Sequence, residues 1–522
     1  MKLKFRNIYI LAAVGLLMSN QSCTKLDDTM HSAYTGSNFP VTEEQLVAVT
    51  GPVYTVARGY FDNYFNLQTA GADEVVIPTR GGDWFDGGQW RDMHFHTWSP
   101  EHNAVQNTWD WGYNAIGTCN RVLSVLEDAP ESDTKATTIS EIKTMRAWYY
   151  FLMMDLYGNI PLVTTFDTGG ELPSTTPRAT VYDFIVQELE ENLVNLNTEK
   201  SEATYGRPTR WFAHALLAKV YLNAEVYSGT ANWNKVVENA NAVINEGPYT
   251  LENDFLAQFA PNNGSANTEP IFSIPYDAAR ATGNTLFNRV LHYAHRETFG
   301  LNANPWNGWS AQPDYFDLFD DDDIRKQQWL YGEQQDATGG DLIYNGMHIV
   351  IDPYAYNLLP GSDFDIGGAD DGGRLAGARC IKYYPDSDHI GNDAGNDVVV
   401  MRLADVLLMK AEAILRGATN GTTSEALAAA NLVRARAFPA NPEKHFTAAT
   451  LTLDAIYRER ALEFTFELTR RTDMIRFETW EDAMLFKPAN TSASETYKRI
   501  FPIPARARNN NTNLDQNPGY TN

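Results

Sequence analysis

The sequence predicts a mostly α protein in which helix pairs form a scaffold and a large irregular region with short strands is inserted between them. Three observations predict it. Apolar residues recur at three- and four-residue steps in two blocks, about 40–250 and 398–480. Between them, about 252–397 is rich in Gly, Asn, Asp, Pro and Tyr and has few helical periods, as loops with short strands would. A smaller segment of that kind, about 70–100, interrupts the first block. With 43% hydrophobic and 12% aromatic residues in 522, the chain can bury a large core without disulfide staples, and three cysteines are too few for a disulfide framework.

Taken in order, the first element is an address. Lys2, Lys4 and Arg6 precede an apolar run from Ile8 to Met18, too short to span a bilayer but suited to a signal-peptide core. The run ends in Ser19-Asn20-Gln21-Ser22-Cys23, which resembles a bacterial lipoprotein signal with Cys23 as the lipidated first residue. The alternative is a secretory signal that happens to contain a cysteine. Residues 1–22 are thus expected to be removed, leaving 23–522 as a single domain tethered by acyl chains.

Ile142, Met145, Tyr149, Leu152 and Leu156 share one helix face, and Gly158 and Pro161 end that helix. Pro208 to Tyr227 and Trp233 to Glu246 form a pair whose small residues, such as Ala218 and Ala240, permit close approach, resembling a tetratricopeptide-like hairpin. A second pair runs from Met401 to Arg416 and from Ser424 to Ala437. A long amphipathic helix is predicted from Leu453 to about Trp480. Cys119 falls on an apolar helix face and reads as a reduced core residue.

Charge narrows the partners. The chain has 66 acidic and 41 basic residues, net -25, and loss of Lys2, Lys4 and Arg6 takes it to -28. Such a field repels phosphate backbones, so no nucleic acid is expected as a partner. No Gly-x-Ser-x-Gly, His-Glu-x-x-His or Gly-Lys-Ser/Thr motif is present, and the chain is expected not to be an enzyme. A surface glycosidase is the catalytic alternative, recognised by a separation of carboxylates that sequence does not give.

Several segments in order carry a specific resemblance. Cys119-Asn120-Arg121-Val122-Leu123 is followed by Arg146-Ala147-Trp148-Tyr149-Tyr150-Phe151 leading into Leu156-Tyr157-Gly158-Asn159-Ile160-Pro161. Then come Arg402-Leu403-Ala404-Asp405, Glu459-Arg460-Ala461-Leu462-Glu463, Arg470-Arg471-Thr472-Asp473 and Phe501-Pro502-Ile503-Pro504. Together they resemble the SusD/RagB family of outer-membrane nutrient-binding lipoproteins. The resemblance implies a SusD-like helical fold and an outer-membrane, lipid-anchored location facing the cell exterior. It also implies a non-catalytic role capturing oligosaccharides as a lid on a SusC-like TonB-dependent transporter. The alternative function is a tetratricopeptide-like scaffold or peptide-binding lipoprotein. Arg146, Arg471 and Arg476 are expected to be structural, paired with carboxylates such as Asp155, Glu463 or Asp473.

Sugars present apolar C–H faces rimmed by hydroxyls, so a site for them needs flat rings and planar hydrogen-bonding groups. The segment from Asp73 through Arg80, Asp83 and Trp84 to Trp90 concentrates both, and its two Gly-Gly pairs permit sharp turns. Trp306 and Trp309 form a second aromatic group in the middle region, and Arg374 completes the expected ligand-binding set. For each indole the alternative is a core anchor. Tyr331, Tyr344 and Arg379 are weaker candidates. No cofactor is expected. His94, His96 and His102 read as solvated or hydrogen-bonded, and surface Ca²⁺ has only nonspecific support from Asp320 to Asp323, Asp363 to Asp371, and Asp386, Asp388 and Asp397.

Overall fold

The period read from Ile142 to Leu156 belongs to one helix, Asp133–Tyr157, capped by the Ser132 side chain and ended by Gly158 at φ 68°. It lies in a computed structural model that describes residues 42–368, 372–490 and 492–521. The expected signal and Cys23 lie outside the described residues. In chain order the helices used below are α1 (Asn63–Thr69), α2 (Gln89–His94), α3 (Asn103–Glu127), α4 (Asp133–Tyr157), α5 (Arg178–Asn192) and α6 (Arg210–Leu222). They continue with α7 (Trp233–Glu246), α8 (Leu286–Val290), α9 (Leu403–Leu415), α10 (Thr423–Ala437), α11 (Leu453–Glu463) and α12 (Arg470–Arg476).

Every residue of α4 from Thr144 to Tyr157 is buried, so this helix is enclosed rather than amphipathic. It packs between α3 and α5; α6 packs on α7, α7 on α9, and α9 on α10. The contact of α7 with α9 explains the organisation of the chain. The scaffold pauses after Glu246 and resumes at Leu403, and the irregular middle region is an insertion between two helices that touch. This is the mostly α scaffold with an irregular insertion that the sequence predicts.

The insertion carries short antiparallel pairings, one of them with the earlier irregular segment: β1 (Val75–Val76) of that segment pairs with β3 (Ser310–Ala311), β2 (Pro270–Ile274) with β6 (Val398–Arg402), and β4 (Trp329–Leu330) with β5 (Arg379–Cys380). β6 occupies the start of the helix predicted from Met401, which begins instead at Leu403. The helix predicted from Pro208 to Tyr227 breaks at Asn223 and resumes as Ala224–Ser228.

Buried ion pairs join the insertion to the scaffold. Arg402 reaches Glu269 at 2.7 Å, Glu463 at 2.6 Å and Glu467 at 2.7 Å, while Arg325 reaches Asp323, Glu459 and Glu463 at 2.7, 2.8 and 2.9 Å. Arg436 of α10 closes on Glu463 as well. Three cations hold the Glu463 carboxyl well below the usual range against the opposing cost of burial.

The same cluster interrupts the long helix predicted from Leu453 to Trp480, which is α11 and α12 with a reversal between them. Lys382 donates to the carbonyls of Glu463 and Thr465, Arg402 donates to that of Glu463, and the Phe466 N–H donates to Glu74. Backbone groups that would continue the helix are thereby committed elsewhere, and Phe466 and Leu468 adopt φ of 58° and 62°. Arg471 pairs with Asp155 at 2.9 Å and Arg476 with Asp473 at 2.7 Å, as expected; Arg146 pairs with Glu188 of α5 instead, through two bonds of 2.8 Å. Cys119 and Cys380 are free and buried. No helix among the described residues is long and apolar enough to cross a membrane.

Candidate functional site

The segment 79–90 and the loop 305–309 meet over α8. The last carbonyls of a helix have no partner within it. Here Asn288 accepts from the Trp306 N–H, Leu291 from Asn307, and Arg289 from both Gly308 and Trp309. That seats the second aromatic group. The first is folded by an unusual backbone: Gly81, Gly82, Gly87 and Gly88 take positive φ, and so do Trp84 (64°) and Asp86 (40°), where a side chain pays a steric cost.

Between these loops opens a cleft of about 510 Å³, within the range of small-ligand sites. Trp84, Trp90, Tyr293 and Trp306 supply its rings, and Asp62, Asn66, Asp83, Asp86 and Arg289 its polar rim. The Trp84 indole N–H donates to the Trp306 carbonyl at 2.7 Å, joining the two loops. The rings then descend in sequence. Trp84 lies 6.0 Å from Trp90, Trp90 lies 5.7 Å from Trp309 edge-on, and Trp309 stacks on Phe65 in the core at 4.9 Å.

The rim is pre-ordered. Asp62 accepts from Arg289, Asp86 from the Trp90 indole at 2.8 Å, and Asp83 from both the Tyr293 hydroxyl and Arg374, the latter at 3.2 Å. Arg374 also lies over the Tyr293 ring at 5.4 Å. Burial and the Asp83 carboxylate push the Tyr293 phenol up to about 12, so it remains protonated and keeps donating. Every carboxylate on this rim is held in place with oxygen lone pairs to spare, the rings of Trp84, Trp90 and Tyr293 each have a partner that fixes them, and Trp306 is held through its backbone. Such a surface can stack on a flat apolar face and accept from hydroxyls around it.

Of the expected site residues, Asp83, Trp84, Trp90 and Trp306 meet at the cleft, and Arg374 buttresses it through Asp83. Three do not reach it. Trp309 is fully buried and serves as the core anchor under the floor. Asp73 is engaged by Arg470 through two bonds of 2.6 Å, with the guanidinium stacked on Tyr457. Arg80 is also fully buried; it donates to the carbonyls of Gly308, Gly373 and Ala376 and to the Ser310 hydroxyl. Arg80 and the equally buried Arg379, which donates to the carbonyls of Trp309 and Arg374, clamp the two backbone stretches that carry Trp306 and Arg374. Both are therefore supports beneath the cleft.

Tyr331 packs on Phe316, and Tyr344 stacks on Tyr293 at 6.1 Å behind the rim. The sequence reading missed Tyr293, Arg289 and Asp62. Nothing in their local pattern distinguishes them, because only the packing of α1 and α8 brings them to Trp84. His94, His96 and His102 bond separate backbone carbonyls. Asp386 and Asp397 hold backbone N–H groups, and Asp320, Asp322 and Asp323 pair with Lys444 or Arg325. Among the described residues no three His, Cys, Asp or Glu side chains converge as metal ligands would.

Comparison with known proteins adds to this geometry. Residues 268–520 match the family model described as SusD family, and residues 71–222 match one described as starch-binding associating with outer membrane. The chain is 26% identical to the starch-binding protein SusD of Bacteroides thetaiotaomicron, over 88% of this chain and 86% of that protein. It is 25% identical to SusD-like protein P2 of Formosa agariphila, over 98% and 99%. Among solved structures, surface glycan-binding protein A from Bacteroides thetaiotaomicron in complex with laminarihexaose superposes with a TM-score of 0.73 at 21% identity, covering 91% of this chain and 99% of that one.

Proposed function

This chain belongs to the SusD family, and on that premise we propose that it is a non-catalytic glycan-binding protein whose site is the cleft between Trp84 and Trp306. The observation that carries the reading is that two half-buried indoles, Trp84 and Trp306, line one cleft, with the Trp84 N–H donating to the Trp306 backbone carbonyl and with Tyr293 and Asp83 beside them. Pre-ordered rings bind with less entropy lost than mobile ones, and binding through so shallow a contact is expected to be modest in affinity. The cleft carboxylates are engaged by Arg289, Tyr293, Arg374 and Trp90, an arrangement that supports holding a sugar rather than cleaving it.

The finer role follows the family. Lipidated at Cys23, the protein would sit on the outer face of the outer membrane and serve as a lid for a SusC-like TonB-dependent transporter, delivering oligosaccharides for uptake. The family-model description of outer-membrane association and the starch-binding relative support this placement.

Isothermal titration of the folded protein against starch, laminarin and a panel of other polysaccharides tests the binding. Saturable binding to at least one, lost on Trp84→Ala and Trp306→Ala and unaccompanied by product release, is the expected result. No binding across the panel overturns it. Purification from membranes tests the lid role: a large barrel should accompany the protein, whereas retention of a soluble peptide or protein favours a scaffold function.

A further inference from the structure

The loop that forms one wall of the cleft is also a wall of a second hollow. On its far side lies a groove of about 440 Å³ whose sides are Phe85, Arg91 and the turn 359–365. Successive residues serve opposite faces: Trp84 and Asp86 line the cleft, while Phe85 between them lines the groove. Phe85 is 56% exposed, an open ring on a backbone that is otherwise closely held. Gly81 donates its N–H to Asp365, Thr79 bonds the Phe364 carbonyl, and Gly81 packs so closely on Gly368 that a β-carbon would meet its Cα at 2.7 Å. The ring is thus presented by a rigid support at no evident gain to the core.

The polar groups of the groove match those of the cleft in kind. The Arg91 guanidinium stands 4.0 Å from the Asp363 carboxylate, both substantially exposed, with Ser362 next to them. An exposed ring flanked by a planar donor and a carboxylate acceptor is the same pairing of stacking face and hydroxyl partners found around Trp84.

We propose that the groove at Phe85 is a second subsite for the same glycan, so that a linear oligosaccharide seated at Trp84 and Trp306 crosses the 81–88 loop and stacks a more distant sugar on Phe85. This rests on the glycan-binding reading above. The occupant follows from continuity: consecutive residues of one rigid loop present rings to both hollows, so a chain leaving the cleft over this wall meets Phe85 next. The subsite would favour longer chains by making the second contact intramolecular.

Titration of disaccharides and hexasaccharides of the laminarin and starch series separates the possibilities. Wild-type protein should bind the hexasaccharide of its preferred series more tightly than the disaccharide. Phe85→Ala should weaken the hexasaccharide about three- to tenfold and leave the disaccharide unchanged. Asp363→Ala, at another exposed position, should act in the same direction, and an unshifted thermal melt verifies that both variants are folded. Trp84→Ala should weaken both lengths. If Phe85→Ala weakens neither length, or instead abolishes self-association or co-purification with a membrane barrel, the subsite is overturned while the cleft stands. If the wild type binds neither series nor any member of the polysaccharide panel, the parent reading falls and the subsite with it.

Discussion

Gly308 lies against the indole of Trp84 so closely that a β-carbon on it would sit 2.1 Å from Cε2. The residue between the two expected tryptophans of the second loop is therefore the seat of a tryptophan from the first. Gly308→Ala should push the Trp84 ring out of the cleft and reduce glycan affinity at least about tenfold, with a stability loss of about 1–3 kcal/mol, typical of overpacking. Titration and tryptophan emission measured together check this, since displacement should shift emission even where the melt changes little.

Trp306 and Trp309 are three residues apart and should respond in opposite ways. Trp309→Ala opens a core cavity beside Phe65 and Phe466 and is expected to cost about 3–5 kcal/mol in urea unfolding. Trp306→Ala, at a half-buried site on the cleft, should leave stability within about 1 kcal/mol and abolish most of the binding.

Glu463 is the shared partner of Arg325, Arg402 and Arg436. Glu463→Gln leaves buried guanidinium charge uncompensated and should destabilise by about 3–5 kcal/mol, measured by chemical denaturation at neutral pH. Because the folded protein holds this carboxyl below its ordinary value of 4.5, its stabilisation is complete above that value. It is lost as the pH falls below 4.5 toward the folded value. Acid unfolding of the Gln variant should accordingly be shallower in that range.

Glu74 predicts the reverse slope. Burial raises it from 4.5 to about 8, against the Phe466 N–H bond, which lowers it. Between those values the folded state holds a proton that the unfolded chain has released, so stability falls as pH rises, by up to about 1.4 kcal/mol per pH unit. Glu74→Gln should remove that decline, so that the melting temperature of the variant gains on that of the wild type between pH 5 and pH 8.

Lipidation at Cys23 predicts incorporation of labelled palmitate and partition into the membrane fraction, both lost in Cys23→Ala. A wild-type protein that takes up no label would point to the ordinary secretory signal instead, and label retained in the Ala variant would place the acylation elsewhere.

The sequence was most informative where the physics is local. The Ile142 to Leu156 period, the Gly158 stop and the pair of helices ending at Glu246 are consequences of side-chain spacing and capping, and they stand nearly as read. The family resemblance reached the fold for a similar reason, since its motifs are chiefly the buried arginines and carboxylates, such as Arg471 with Asp155, that lock helices together. Errors came where distant chain intervenes: no local pattern of 453–480 records that Lys382 and Arg402 capture the carbonyls that a continuous helix would use.

The candidate site divides along the same line. Composition marked 73–90 and 304–309 as ring-bearing loops with turn-forming glycines, and the family resemblance pointed to a carbohydrate as what such rings could hold. Only the tertiary structure decided that Trp84 and Trp306 face the cleft while Trp309 and Arg80 lie beneath it, and that Tyr293, Arg289 and Asp62 join them. The physical reason is that an indole and a guanidinium are equally suited to an anchor and to a binding surface. Which role each plays depends on what packs behind it, and here that was settled by α1, α8 and the turn at 373–376, brought together from opposite parts of the chain.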